Sequence, residues 1–286
     1  RISLEIARQL KLASPETLIV FGGPQVPDRI EGFLREHPFI DLACHGEGER
    51  TALAILENCL YRDWDNLSGV SFLKQDGTLV RKPNGLRQNY LSEVPSPYLE
   101  GIFTPLMEAN PDERWIALWE TNRGCPFSCT YCDWGSAIQT KVFSFDIERI
   151  YGEIQWFAGN KIQFIFCCDA NFGILPRDLD IAKKMAETKQ LCGYPGSLSL
   201  QNTKNATERA YETQKILSDA GLNTGVDIAL QSLDMHALES IKRSNISLDT
   251  YHDLQSRFNR DGIETYTDLI LALPGETYNS FADGIS

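Results

Sequence analysis

From residue 113 onward, short apolar runs alternate with helix-length segments, and this alternation limits the possible folds more than any other feature of the chain. The first candidate strand lies in "ERWIALWETNRG", and others follow at 161–167 ("KIQFIFC"), 197–201 ("SLSLQ"), 225–231 ("GVDIALQ") and 264–272 ("ETYTDLILA"). Helical stretches such as "FDIERIYGEIQWFAG" and "ATERAYETQKILSDAG" separate them, the second closing on a glycine suited to a helix C-terminus. Five βα units in succession call for a parallel barrel or an open doubly wound sheet, with chemistry at the C-terminal ends of the strands.

The same rhythm is present before it. "TLIVFGGPQVPD" (17–28) reads as a buried parallel strand running into a tight turn, and the helical "RIEGFLREH" follows. Then come "FIDLACHGEGE", a second strand and loop, and "RTALAILENCL", an amphipathic helix with Glu47 and Glu49 near its start. Between 61 and 112 the periodicity fades, and prolines punctuate "EVPSPYLEGIFTP"; a linker with a small hairpin around Asp76-Gly77 is expected. The expected layout is α/β throughout: half of a Rossmann-like domain over 1–60, the linker over 61–112 and a partial (β/α) barrel over 113–286. Arg1 is not an initiator Met, and "SFADGIS" reads as a helix just beginning, so a fragment cut at both ends is expected.

With 42% hydrophobic and 23% charged residues in 286, the chain can bury substantial cores. A net charge of −12 excludes a global cationic footprint for nucleic acid or an anionic membrane. No run approaches the roughly 18 apolar residues of a membrane span, and the opening residues do not read as a basic, apolar, small-residue signal. The 8 cysteines are too sparse and uneven for a secreted disulfide framework, so a reducing cytoplasm is the expected location.

Three of those cysteines crowd into "CPFSCTYC" as Cys125, Cys129 and Cys132, just after the first strand of the barrel run, where such folds carry active-site residues. Three thiolates can hold three irons of a four-iron cluster and leave the fourth open, whereas an electron carrier usually supplies four ligands. A zinc knuckle or three unrelated buried cysteines are the alternatives; zinc would want a fourth ligand, and the nearest downstream histidine, His236, lies on another βα unit while Asp133 suits it poorly.

Cys125, Cys129 and Cys132, with Tyr131 directly before the last, resemble the CxxxCxxC signature of the radical S-adenosylmethionine (SAM) superfamily. The resemblance implies a [4Fe-4S] cluster whose fourth iron is chelated by the amino and carboxylate groups of SAM, and cleavage of SAM to a 5′-deoxyadenosyl radical that abstracts hydrogen from an unactivated carbon. "FIFCCDANFG" resembles the segment that carries Gly-Gly-Glu in many members; that triplet is missing here, leaving Asp169 and Asn171 as candidates for the SAM amino group. An Asx turn before a helix is the alternative reading. Gln231 and Ser232 in "IALQSLDMHALE" resemble the residues near the SAM ribose, and Leu273, Pro274 and Gly275 in "LILALPGET" those beside the adenine.

The N-terminal piece resembles the second half of the cobalamin-binding domain found in one large subfamily. That likeness places Gly22, Gly23 and Pro24 along the cleft for the nucleotide tail, with Gly46 and Glu47 in a neighbouring loop; ordinary βα turns are the alternative. The Asp-x-His-x-x-Gly signature that supplies a lower axial histidine to cobalt is absent. The resemblance implies a cobalamin-dependent C-methyltransferase with a second SAM remethylating the cobalamin, a small-molecule or peptide substrate, and an electron donor such as flavodoxin or ferredoxin. A cyclising or rearranging enzyme of the same kind is one alternative, and an iron–sulfur carrier or sensor is another. His45 is expected in a loop and His236 at an exposed helix start. Cys167 reads as core filler, Cys168 as a residue that could face the site, and Cys44, Cys59 and Cys192 as structural. Trp134 has two readings, cover for the cluster or barrel packing; the Lys242-Arg243 pair is either a solvated helix face or a partner for an anion.

Overall fold

The computed structural model describes residues 2–85, 87, 90–132, 141–203, 205, 208–223 and 225–285; Asp133 and Trp134 lie outside the described residues. The chain divides into two compact units, residues 1–89 and 90–286.

In the first unit the elements run α1 (Ile2–Ala13), β1 (Val20–Phe21), α2 (Ile30–Glu36), β2 (Leu42–Cys44), α3 (Gly48–Asn58), β3 (Val70–Leu73) and β4 (Leu79–Arg81). They build one sheet of order β1-β2-β3-β4, parallel between β1 and β2 and antiparallel thereafter. Because strand side chains alternate faces, adjacent Leu42 and Ala43 enter different cores. Ala43 packs with Ala7, Ile30 and Leu34 of α1 and α2, and Leu42 with Ile55 of α3. Ile30 and Leu34 stand four apart on one face of α2, which is why that helix settles on the sheet. The expected hairpin forms, with Phe72 opposite Val80 around the Asp76-Gly77 turn. It is not part of a separate linker: β3 pairs with β2, so half of the 61–112 segment completes the first unit's sheet.

The second unit opens with a 3-10 turn (Leu91–Glu93) and α4 (Thr104–Ala109). Next come β5 (Ile116–Trp119), β6 (Asn122–Arg123), β7 (Phe143–Ser144), α5 (Ile147–Gly159), β8 (Phe164–Cys167), α6 (Asp178–Cys192) and β9 (Ser197–Ser199). The chain continues through α7 (Glu208–Asp219), β10 (Gly225–Asp227), α8 (Met235–Ser240), α9 (Leu248–Arg260), β11 (Glu264–Tyr266) and α10 (Tyr278–Ile285). Strands β5, β8 and β9 form one parallel sheet and β10 and β11 another, with helices returning between them. Ala117, Trp119, Ile165, Cys167 and Leu198 bury against Ile150, Ile154 and Phe157 of α5 and Ile181 and Met185 of α6. Val226 packs on Tyr251, Leu254 and Phe258, spaced three and four apart along α9. Beneath Trp119, buried Glu153 accepts from its indole Nε1 at 2.9 Å, from Ser96 Oγ at 2.6 Å and from Arg149 Nε at 2.9 Å.

The result is a partial β/α barrel whose later strands are shorter than their sequences suggest. Asn202 Nδ2 reaches the Asp227 carbonyl at 3.2 Å where β9 and β10 would pair, and no ladder joins them among the described residues. After Tyr266, the Thr267 hydroxyl donates to the Ile228 carbonyl and accepts from Leu230 N in place of ladder bonds; the strands meet again at a Gln231–Leu269 bridge. Among the described residues no helix is long and apolar enough to cross a membrane.

Candidate active site

The cysteine loop leaves the C-terminal end of β5 and is closed at its base by the antiparallel β6–β7 pair, Asn122 opposite Ser144 and Arg123 opposite Phe143. Gly124, immediately before Cys125, has φ +134, and a Cβ there would lie 2.5 Å from the Lys141 carbonyl oxygen. Only glycine lets the two sides of the loop approach so closely.

Behind the loop sits Asp169, fully buried at the end of β8. Its carboxylate accepts from Thr121 N at 2.8 Å, Asn122 N at 3.2 Å and Asn122 Nδ2 at 2.8 Å, and from the Thr121 hydroxyl. Burial, outweighing those bonds, pushes its pKa up to about 7. Asp169 therefore clamps the strand that delivers the cysteines. Two residues on, Asn171 is 1% exposed and donates its Nδ2–H to the Cys125 sulfur at 3.2 Å. Its Oδ1 is buried and has no hydrogen-bond partner among the described residues.

The far side of the loop is tied to the end of the β10 unit. Thr130 N donates to the Ile241 carbonyl at 3.0 Å, and Tyr131 packs with Ile241 and Leu273. Arg243 is 6% exposed and donates to Tyr131 Oη at 3.1 Å, to Asn245 Oδ1 at 2.7 Å and to the Ala229 carbonyl. Burial pushes the Tyr131 phenol up to about 12 against the pull of the Arg243 guanidinium, so it stays protonated. Cys125, Cys132, Gln231, Arg243, Asp227 and Asp268 line one cavity of about 170 Å³. Burial first, and then Asp268, raise the Asp227 carboxyl to about 6, which Arg243 opposes.

Of the residues expected at the site, Cys125, Tyr131, Cys132 and Gln231 share this cavity, and Asn171 touches it through Cys125. Cys129 is buried within the same loop. Ser232 faces another way, its hydroxyl donating to Glu276 at 2.7 Å, and Leu273 lies in the apolar cluster with Tyr131, while Pro274 and Gly275 are exposed. Asp227 and Asp268 are additions, and of the Lys242-Arg243 pair it is Arg243 that is buried on the cavity wall, not on a solvated helix face. Lys242 takes φ +53 after α8 ends, so the chain reverses and Arg243 turns inward, which the Lys-Arg pair alone does not reveal. Acidic residues are depleted from strands, so the aspartate inside "GVDIAL" is a sequence signal that could have found Asp227. Among the described residues no three His, Cys, Asp or Glu side chains gather around a single metal ion; a cluster instead distributes its thiolates over several irons.

In the first unit β1 and β2 run parallel and in register, so Gly22-Gly23-Pro24 and Gly46-Glu47 leave the same edge. Gly23 and Gly46 both have positive φ, and among the described residues nothing lies within 4 Å of a Cβ placed on either, so backbone is open to a ligand there. Glu47 pairs with Arg87 at 3.5 Å. His45 lies in the loop directly after β2, as expected, but is buried there: it is 8% exposed, with Nε2 2.8 Å from the hydroxyl of buried Ser71. Cys167 is core, as expected; Cys168 is half-buried with its thiol toward the Phe166 carbonyl and does not line the cavity, and Cys192 is exposed at the end of α6.

A three-cysteine loop at the strand ends of a partial β/α barrel thus defines the class. Residues 119–285 match the profile of the Radical SAM superfamily, and the chain belongs to that superfamily. Over its whole length it is 43% identical to the cobalamin-dependent radical SAM methyltransferase TokK of Streptomyces tokunonensis, covering 42% of that protein. Identity and coverage are the same for the 2-(S-pantetheinyl)-carbapenam-3-carboxylate methyltransferase of Streptantibioticus cattleyicolor. The chain thus spans about two fifths of the length of these relatives. Among solved structures, the radical SAM methyltransferase TsrM of Kitasatospora setae superposes over 99% of the chain and 55% of its own at TM-score 0.75 and 15% identity. The cobalamin-dependent SAM radical enzyme OxsB does so over 99% and 41% at TM-score 0.71 and 17% identity. These two likenesses are of fold: a Rossmann-like α/β piece followed by a partial radical SAM barrel.

Proposed function

We propose that the protein is a cobalamin-dependent radical SAM methyltransferase acting in the cytoplasm on an unactivated carbon of a small molecule. Cys125, Cys129 and Cys132 would hold a [4Fe-4S] cluster, and the donor set fits: two buried sulfurs and a third on the cavity wall. When bound, the cluster, SAM and cobalamin supply an electron, a hydrogen-abstracting 5′-deoxyadenosyl radical and a methyl group.

The observation that carries this reading is Asn171. Its side chain donates to Cys125 and leaves a buried Oδ1 without a partner among the described residues, an acceptor suited to the ammonium of SAM. Gln231, on the cavity wall, would meet the ribose. Arg243 is committed to Tyr131, Ala229 and Asn245, so its work is to hold the loop rather than to meet a carboxylate. Residues 1–89 would form part of the cobalamin-binding domain, with the nucleotide tail over Gly22, Gly23, Pro24, Gly46 and Glu47, and the strands and helices from 113 on the barrel that excludes water and fixes distances. The 43% identity to an enzyme named for a pantetheinyl carbapenam carboxylate supports a substrate of that class. The electron comes from a carrier such as flavodoxin or ferredoxin.

Anaerobic incubation of the protein with reductant, SAM, methylcobalamin and a 2-thioether carbapenam carboxylate tests this. Methylated product accompanied by equal amounts of 5′-deoxyadenosine and S-adenosylhomocysteine is expected. Deoxyadenosine alone, with an unmethylated product, would reassign the protein to rearrangement; neither nucleoside would leave an iron–sulfur carrier or sensor.

A further inference from the structure

We infer that Asn171 is a positioning residue that sets the reduction potential of the cluster, through its side-chain N–H to the Cys125 sulfur. The inference rests on the reading of the cysteine loop as a cluster site. Asn171 and Cys125 are 1% and 3% exposed, and the amide nitrogen lies 3.2 Å from the sulfur. The backbone that carries this side chain is tied down. Phe172 N donates to the Gln201 carbonyl at 2.8 Å, Ile174 N to the Asn171 carbonyl at 3.3 Å, and the Asp178 carboxylate accepts from Gly173 N at 2.8 Å and Leu175 N at 2.9 Å.

Reduction adds negative charge that is shared with the ligating sulfurs, so an N–H aimed at one of them stabilises the reduced state more than the oxidised one. Burial makes that dipole count for more than it would in water. Losing the donor should move the midpoint potential downward, making the cluster harder to reduce. The residue does this without touching the reacting carbon.

The test is anaerobic redox titration, followed by electron paramagnetic resonance, of reconstituted wild type, Asn171→Leu and Asn171→Asp. Leu removes the donor without adding charge; Asp keeps the shape, turns the donor into an acceptor and should fall further. Iron and sulfide content equal to wild type, with both midpoints lower in the order Asp below Leu below wild type, is the expected result. Equal content with unchanged midpoints overturns the inference. So does loss of iron from both variants, which would make Asn171 a purely structural support. A wild type that takes up no cluster overturns instead the reading of the site on which the inference rests.

Discussion

Replacing Asp169 by Asn should reverse sign with pH. Asp169 is fully buried, and burial pushes its carboxyl up to about 7 from the ordinary 3.8. Below about pH 4 the group is protonated whether the chain is folded or not, and contributes no penalty. As pH rises, the unfolded chain releases this proton first, so the folded state binds more protons and stability falls until about pH 7. A gap of about three pH units, at about 1.4 kcal/mol each, amounts to a loss of roughly 4 kcal/mol. Asn does not titrate, so Asp169→Asn removes this slope. It also sets an amide donor against the Asn122 Nδ2–H that now donates to the carboxylate at 2.8 Å, at a cost of about 1–3 kcal/mol. Urea unfolding followed by circular dichroism, at intervals from pH 4.5 to 8, reads the difference directly. The variant should be the weaker protein at pH 4.5 and equal or stronger at pH 8. A difference that stays constant across this range would refute the claim that desolvation dominates the energetics of Asp169.

Other consequences can be measured with the same preparations. Glu153→Leu strands the buried Trp119 indole N–H and removes one partner of the half-buried Arg149 guanidinium, which keeps the Val94 carbonyl; it should cost about 1–3 kcal/mol by urea unfolding. Gly124→Ala forces a Cβ to within 2.5 Å of the Lys141 carbonyl; iron uptake should fall severalfold while far-ultraviolet circular dichroism is preserved. Arg243→Met removes three hydrogen bonds around Tyr131 and should loosen the second half of the loop, raising the apparent Kd for SAM about tenfold or more by equilibrium dialysis.

Much of this was legible in the sequence because it depends on local pattern. The spacing of Cys125, Cys129 and Cys132 places three sulfurs in one loop, and the strand runs around Ile116, Phe164 and Ser197 follow from short apolar segments between helical periods. What escaped was settled by distant partners. The role of Asp169 is set by Thr121 and Asn122, nearly fifty residues earlier. Arg243 turns inward because Lys242 adopts positive φ, and β3 joins β2 because its apolar face completes the core around Leu42. Between 225–231 and 264–272 the ladder is interrupted where the Thr267 hydroxyl bonds the Ile228 carbonyl and Leu230 N. None of these is written in periodicity.

The most direct test of the cluster site is electron paramagnetic resonance of the reduced, reconstituted protein with and without SAM, alongside Cys129→Ala. The account predicts a four-iron signal that shifts when SAM is added and is missing from the variant. A signal that SAM leaves unchanged would mean that the fourth iron already has a protein ligand, and would contradict the open site.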